Sequence, residues 1–117
     1  MRILSISVRG FGSPVKWRYI KDIIRKEDSK MVCLQEVKMA SFSLNNYCQL
    51  WGDNDIDYFY SEPVNGAGGI LTIWHTKFFQ CTKHIINRWY IVFFLESLGR
   101  VIFLLLLQMC ILHVIYN

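Results

Sequence analysis

The sequence predicts an α/β fold, and the prediction depends on three successive segments near the start of the chain. Residues 3–8 alternate loosely between apolar and small polar side chains, which is typical of a strand. Residues 14–26 carry apolar side chains at helical spacing, and residues 31–35 form a short apolar run typical of a buried strand. A strand, a helix and a second strand in this order make a β-α-β unit, in which the two strands normally run parallel.

The helix is predicted to begin at Pro14 and to end at Lys26. Ser13 can cap the free amides of the first turn, and proline suits the first helical position because that N–H would be unpaired anyway. Five apolar residues define the face predicted to pack on the sheet: Val15, Tyr19, Ile20, Ile23 and Ile24. The charged residues are predicted to face solvent: Lys16, Arg18, Lys21, Asp22, Arg25 and Lys26.

The middle of the chain predicts a short helix followed by three strands. The helix lies within residues 43–51, a polar turn covers residues 52–55, and the strands cover residues 57–61, 69–75 and 78–84. Glycines are concentrated at residues 66–69, before the second of these strands. No Gly-Lys-Ser/Thr follows them, so the run predicts a tight hairpin turn and not a nucleotide-binding loop.

The apolar stretch at residues 89–116 has two interpretations. Glu96 and Arg100 divide it, and the parts at 89–95 and 101–106 fit buried strands followed by an irregular tail. The alternative is a membrane helix from Val101 to Tyr116, although a spanning helix needs about 20 apolar residues. A small membrane-associated protein anchored by residues 101–116 is the functional hypothesis that this alternative implies.

Charge and cysteine usage narrow the class of protein. Residues 1–38 contain nine Lys and Arg against four acidic residues, which is compatible with a phosphate-bearing partner. The four cysteines are irregularly spaced and the histidines have no zinc-binding spacing, so free thiols in a reducing compartment are predicted. Residues 3–8 are too short for a secretory signal. We therefore expect an intracellular protein, nuclear or cytoplasmic, with a membrane location as the alternative.

Glu36 is the first candidate functional residue, because it directly follows the apolar run at residues 31–35. A carboxylate at the end of a rigid strand is well placed to bind a hard cation. The same position also suits a residue that only begins a solvated loop. These six residues alone leave both interpretations open.

Three blocks of sequence, at residues 3–14, 32–39 and 68–74, resemble the opening of the endonuclease/exonuclease/phosphatase superfamily. They read Ile-Leu-Ser-Ile-Ser-Val-Arg-Gly-Phe-Gly-Ser-Pro, Val-Cys-Leu-Gln-Glu-Val-Lys-Met and Gly-Gly-Ile-Leu-Thr-Ile-Trp. The resemblance is greatest to the endonuclease domains of plant LINE-type (non-LTR) retrotransposons. It covers residues 1–92, which correspond to about half of such a domain, and residues 93–117 form a divergent apolar tail.

The resemblance implies a fold, a cofactor and a partner. The fold would be the truncated N-terminal part of a four-layered α/β sandwich, in which two mixed β-sheets lie face to face with helices outside. The site would be a Mg²⁺-dependent phosphodiesterase centre acting on DNA. Glu36 takes the place of the metal-binding glutamate, and Gln35 and Arg9 support it. Ser7 stands where the family has an asparagine at the metal site, and serine lacks the amide carbonyl oxygen.

The later blocks of the family do not occur in these 117 residues. They are an Asn-Val-Tyr-Ala/Ser-Pro block, a tyrosine, an Asp-x-Asn pair and a closing Asp-His, which supply nucleophile activation and oxyanion stabilisation. Because such a set acts as a unit, its loss removes most of the rate. The sequence therefore predicts a truncated, catalytically inactive remnant of a retrotransposon endonuclease, with an active metal-dependent nuclease as the alternative.

The apolar tail makes a prediction about the gene. With one choice of synonymous codons, residues 108–117 read in a shifted frame as Asn-Val-Tyr-Ser-Pro-Cys-Asp-Leu-Gln, which contains the missing block. We expect the coding DNA to carry an insertion, a deletion or a mis-called splice junction between codons 92 and 108. Sequencing of the locus tests this, and an unbroken frame that uses other codons would contradict it.

Overall fold

The computed structural model describes residues 2–39, 43–52, 54–64, 67–87, 89–107 and 112–116. Two helices and eight strands lie within these ranges. In chain order they are β1 (Arg2–Ser7), α1 (Pro14–Lys26), β2 (Ser29–Gln35), α2 (Leu44–Trp51), β3 (Ile56–Ser61), β4 (Ile70–His75), β5 (Gln80–Ile86), β6 (Tyr90–Ser97), β7 (Arg100–Leu107) and β8 (Leu112–Tyr116).

The strands form two four-stranded sheets. The first has the order β1-β2-β4-β3, with β1 and β2 parallel and the other pairs antiparallel. The second has the order β5-β6-β7-β8 and is antiparallel throughout. The predicted α/β class, the parallel β-α-β unit and the arrangement in two sheets are confirmed. Two mixed sheets were expected, whereas only the first is mixed, because consecutive strands of the second pair side by side as a meander.

Strand β2 lies at the centre of the core and is buried on both faces. Val32 and Leu34 belong to the apolar cluster that the two helices complete, whereas Met31 and Cys33 belong to the cluster shared with the second sheet. The helices contribute buried side chains to the first cluster: Ile20, Ile24 and Leu50. The described elements thus form three layers, with helices, first sheet and second sheet in that order.

Aromatic side chains form the junction between the two sheets. The ring of Trp74 on β4 stacks on Phe93 of β6 with centroids 5.9 Å apart, and both side chains are almost fully buried. Phe59 on β3 meets the edge of Phe93 at 5.5 Å and lies 5.2 Å from Trp74. Because such contacts add to the burial of large apolar areas, this cluster holds the second sheet against the first.

Helix α1 has the predicted bounds, but its buried face differs from the prediction. Val15 is 72% exposed and Tyr19 is 63% exposed, so their assignment to the buried face was wrong. Lys16, which was expected to face solvent, instead donates hydrogen bonds to the carbonyls of Val8, Arg9 and Gly10 at 2.9–3.0 Å. The reason is that the loop after β1 turns three carbonyl groups toward the first turn of the helix, and a charged donor there satisfies them.

The ends of the helices are fixed by different devices. Ser13 makes no side-chain capping hydrogen bond within the described part of the chain, contrary to expectation, and Pro14 alone marks the start of α1. Ser43 caps α2 instead, because its side chain accepts a hydrogen bond from the Asn46 backbone while the Asn46 side chain bonds back to Ser43. Helix α2 then ends at Gly52, whose φ of +86° is left-handed.

The predicted hairpin connects β3 with β4, which pair antiparallel, and within this connection Val64 and Ala67 exchange two backbone hydrogen bonds of 2.8 and 3.0 Å. Residues 65 and 66 lie outside the described ranges. Strand β5, which comes after β4, begins two residues later than predicted. The backbone amides of Phe78 and Phe79 both bond to the His75 carbonyl, which keeps these two residues in a turn.

The apolar stretch folds as strands. Residues 90–97 and 100–107 pair antiparallel along their full length, which confirms that this part of the stretch forms strands. The prediction of an irregular tail was wrong for residues 112–116, which add a further strand beside β7. Residues 108–111 and Asn117 lie outside the described ranges. Within those ranges, no helix combines the length and apolar character needed to cross a membrane.

The aromatic junction gives a stability prediction. We expect Phe93→Ala to lower the free energy of unfolding by about 3–5 kcal/mol, because it empties a fully buried site that contacts Phe59 and Trp74. Chemical denaturation followed by tryptophan fluorescence measures the change. Ile85→Ala on the exposed edge of β5 is the control and should cost less than about 1 kcal/mol. Equal effects of the two substitutions would show that the sheets are not held together at Phe93.

Candidate metal centre

The parallel pairing of β1 and β2 brings the predicted site residues to one edge of the first sheet. Ser7 and Gln35 are the last residues of the two strands and are partners in the register. Glu36 follows Gln35 directly, and Arg9 lies two residues beyond Ser7. The residues that the sequence singled out as a metal site are therefore neighbours in the fold.

Glu36 and Ser7 contact each other through their side chains. The Ser7 hydroxyl donates a hydrogen bond to the Glu36 carboxylate, with 2.5 Å between Oγ and Oε2. Glu36 is partly exposed and Ser7 is exposed, so water reaches both groups. A hydroxyl that donates its proton to a carboxylate keeps its lone pairs for another ligand. The pair therefore presents oxygen atoms of two side chains to the same region of solvent.

Backbone hydrogen bonds hold the loop that carries Glu36 on both sides. Toward the β1 side, the Gly10 and Phe11 amides bond to the carbonyls of Glu36 and Val37 at 2.6 and 2.9 Å. Toward the β4 side, the amides of Val37 and Lys38 bond to the carbonyls of Gly69 and Gly68 at 3.1 and 2.8 Å. The pairing of the sheet thus continues beyond the strand ends and gives Glu36 a defined position.

The same loops contain backbone conformations that are rare for residues with side chains. Arg9, Glu36 and Lys38 have φ values of 51°, 56° and 59°, in the left-handed region. Each such residue costs of order 1 kcal/mol, and strain of this kind persists where the surroundings over-determine the backbone. Lys16 is part of that surrounding structure, because its ammonium group holds the carbonyls on both sides of Arg9.

Gln35 lies beneath the site and is only 4% exposed. By strand alternation it points to the same side as Met31 and Cys33, toward the second sheet. Its amide Nε2 has no hydrogen-bond partner among the described residues. A buried donor of this kind is normally satisfied by a water molecule or by a ligand oxygen. Gln35 is therefore available to contact whatever the edge of the sheet binds.

The donor set fits a weakly held, hydrated Mg²⁺ ion. Mg²⁺ prefers oxygen ligands, retains several water molecules and is often bound through only one or two carboxylates. Glu36 supplies one carboxylate and Ser7 one hydroxyl. Nowhere in the described ranges do three His, Cys, Asp or Glu side chains converge as a metal-binding group. The chemistry of this edge thus matches a partial magnesium site and does not match a closed metal cage.

Two groups near the site keep their protons to high pH. Burial raises the pKa of the Cys33 thiol to about 12, against a smaller opposing effect of the Thr72 side chain. Burial and the neighbouring Glu62 carboxylate raise the pKa of Tyr60 to about 12 as well, and the Tyr60 hydroxyl donates to the Met39 carbonyl. Without a bound cation, both groups are therefore uncharged at neutral pH.

Comparison with known proteins gives no assignment. No protein-family model matches the chain, and no curated protein matches it. The resemblance to retrotransposon endonucleases therefore rests on the three sequence blocks named above.

Sequence reasoning missed the residues that hold the site in shape. Lys16 has the sequence context of an exposed helix residue, and only the course of the preceding loop gives it three acceptors. Gly69 carried a signal, since a Gly-Gly pair before a strand often marks a backbone that needs positive φ. Its φ is +92°, and an added Cβ would lie 3.1 Å from the Lys38 backbone nitrogen.

Gly69 allows a test of the loop scaffold. We expect Gly69→Ala to lower the free energy of unfolding by about 1–3 kcal/mol, because both the backbone angle and the contact with Lys38 oppose a side chain. Gly12→Ala is the matched control, since a Cβ at Gly12 meets nothing within 4 Å. Thermal unfolding followed by circular dichroism compares the two variants. A Gly69→Ala protein as stable as Gly12→Ala would mean that the Glu36 loop is not tightly held.

Proposed function

We propose that this chain is an inactive remnant of a retrotransposon endonuclease, which retains part of a Mg²⁺-dependent phosphodiesterase site. The observation that carries the proposal is the hydrogen bond between Ser7 and Glu36 at the adjacent ends of two parallel strands. The α/β sandwich and the three sequence blocks support the same family. The finer fold, the N-terminal part of a four-layered endonuclease sandwich, belongs to this proposal.

In this proposal the residues of the chain have separate roles. A bound Mg²⁺ would supply Lewis-acid polarisation of a phosphate oxygen. Glu36 would hold the ion with its carboxylate, which the Ser7 hydroxyl orients through its hydrogen bond. Gln35 offers an amide N–H to an oxygen of the ligand, and Lys16 fixes the loop from which Arg9 extends.

Binding is weak because one carboxylate contributes most of the attraction. The serine at position 7 replaces the amide oxygen that the family's asparagine would direct at the ion or at its water shell. These 117 residues do not contain the Asp-x-Asn and Asp-His blocks. By themselves they therefore lack the groups that would activate the nucleophile, and a bound ion alone does not place a water for attack.

DNA is the proposed partner because the family resemblance implies it, and the distribution of charge is compatible with it. The excess of Lys and Arg is confined to residues 1–38, which fold into β1, α1, β2 and the loops at the site. Such a surface attracts a polyanion without reading its sequence, and its affinity falls steeply as salt is added.

Metal binding is the first measurable consequence. We expect Mn²⁺, used as a paramagnetic substitute for Mg²⁺, to broaden the NMR signals of Ser7 and Glu36 with a dissociation constant of roughly 1 mM. Glu36→Gln should abolish the effect, whereas Glu96→Gln on the second sheet should leave it unchanged. Ser7→Asn should tighten binding several-fold, because it returns an amide oxygen to the site. Broadening that is equal in wild type and Glu36→Gln would refute the site.

Catalysis is tested separately with supercoiled DNA. In the presence of Mg²⁺ the wild-type chain and Glu36→Ala should give the same background of nicked circles. Nicking that depends on Glu36 would contradict the proposed loss of activity and favour the alternative of an active nuclease.

A further inference from the structure

A recess of about 390 Å³ lies on the same edge of the molecule as Glu36. It is formed by the end of β3, the segment that follows it and the end of β5. Its volume falls within the range of small-molecule binding pockets. Its floor joins the two sheets, because the Ser61 hydroxyl donates a 2.8 Å hydrogen bond to the Asn87 carbonyl.

The register of the first sheet relates the recess to the metal centre. Gln35 and Ser61 both pair with Ile70, from opposite sides of β4. Two strand spacings separate them, which amounts to about 10 Å. A strand whose phosphate lay at Glu36 would therefore reach the recess with a nearby nucleotide.

The walls of the recess combine flat apolar contacts with polar groups. The residues that line it include the apolar Pro63, Val64 and Ile86 and the polar Glu62 and Asn87. A carboxylate repels phosphate, so the recess does not suit the nucleic-acid backbone. It suits instead a flat, neutral group with hydrogen-bond donors on its edge.

Trp89 is 61% exposed and follows Asn87, a residue that lines the recess, by two positions. The side-chain oxygen of Asn87 accepts hydrogen bonds of 2.9 Å from the backbone amides of Trp89 and Tyr90, which fixes the turn between β5 and β6. Ile91 and Phe93, which are two and four residues after Trp89, face the first sheet. An exposed indole held at a rigid turn is a typical stacking platform for a nucleobase.

We propose that the recess binds one base of single-stranded DNA, that the base stacks on Trp89, and that Glu62 accepts a hydrogen bond from an exocyclic amino group. Carboxylates recognise the amino group of cytosine in this way, whereas thymine carries a carbonyl oxygen at the same ring position. The inference rests on the proposed function for its choice of nucleic acid. It adds a base-binding site and a preference that the metal centre alone would not have.

Tyr60 connects the recess with the metal centre. Its side chain lines the recess, and its hydroxyl donates to the carbonyl of Met39, three residues beyond Glu36. The hydroxyl also lies 3.6 Å from the position that a Cβ on Gly69 would occupy. The recess and the Glu36 loop thus share a rigid boundary.

The test uses fluorescently labelled hexadeoxycytidylate and hexathymidylate in low salt with EDTA, so that no metal contributes. Fluorescence anisotropy reports binding, and quenching of tryptophan emission reports stacking. We expect Trp89→Ala to weaken binding of hexadeoxycytidylate by 5- to 100-fold and to remove the quenching. Trp89→Phe should restore most of the affinity. Phe78→Ala, at an exposed aromatic residue on the opposite edge, should change nothing.

Glu62→Ala should abolish the preference for cytosine over thymine, while binding of both oligonucleotides tightens modestly because a negative charge that repels phosphate is removed. Equal binding by wild type and Trp89→Ala would overturn the stacking site, and a wild type without preference would overturn the role of Glu62. Different results refute the two proposals. If Mn²⁺ does not bind in a way that depends on Glu36, while DNA binding in EDTA still depends on Trp89, only the metal centre is refuted. If Mn²⁺ binding depends on Glu36 but DNA binding does not depend on Trp89, only the recess is refuted.

Discussion

Burial of strand β2 on both faces is the constraint on which the other layers depend. Val32 and Leu34 are covered by the helices, whereas Met31 and Cys33 are covered by the second sheet. The strand is also paired on both sides, parallel to β1 and antiparallel to β4. A strand enclosed in this way cannot slip by one residue without turning its apolar side chains to the wrong faces. Its last residue therefore has a fixed place, and so does Glu36 after it.

The sequence predicts those features that local physics determines. The bounds of α1 follow from Pro14 and the helical spacing, and the parallel pairing of β1 and β2 follows from the β-α-β order. The side of α1 that is buried depends on where the preceding loop runs, so the exposure of Tyr19 and the bonds made by Lys16 were not predictable from spacing. The short distance between Ser7 and Glu36 could be expected, because Ser7 ends β1 and Glu36 follows the end of the parallel strand β2.

The packing of the second sheet explains why the apolar residues 89–116 can be interpreted either as strands or as a membrane helix. On β6, Ile91, Phe93 and Leu95 face the first sheet. The opposite face is apolar too, since Phe94 on β6 and Phe103 on β7 lie 5.0 Å apart there and are only partly exposed. A strand that is apolar on both faces loses the alternation of period two that distinguishes a strand from a helix. Only the pairing of β6 with β7, which is not local in sequence, resolves the ambiguity.

The buried, protonated thiol of Cys33 can serve as a probe of local unfolding. Thiols react with disulfide reagents as thiolates, so a buried thiol with a pKa of about 12 is inert while the sheets stay packed. Cys48 and Cys81 are only partly buried and give an early background reaction. The slow rate at which Cys33 is labelled then measures how often the two sheets separate, and so reports local unfolding of the core.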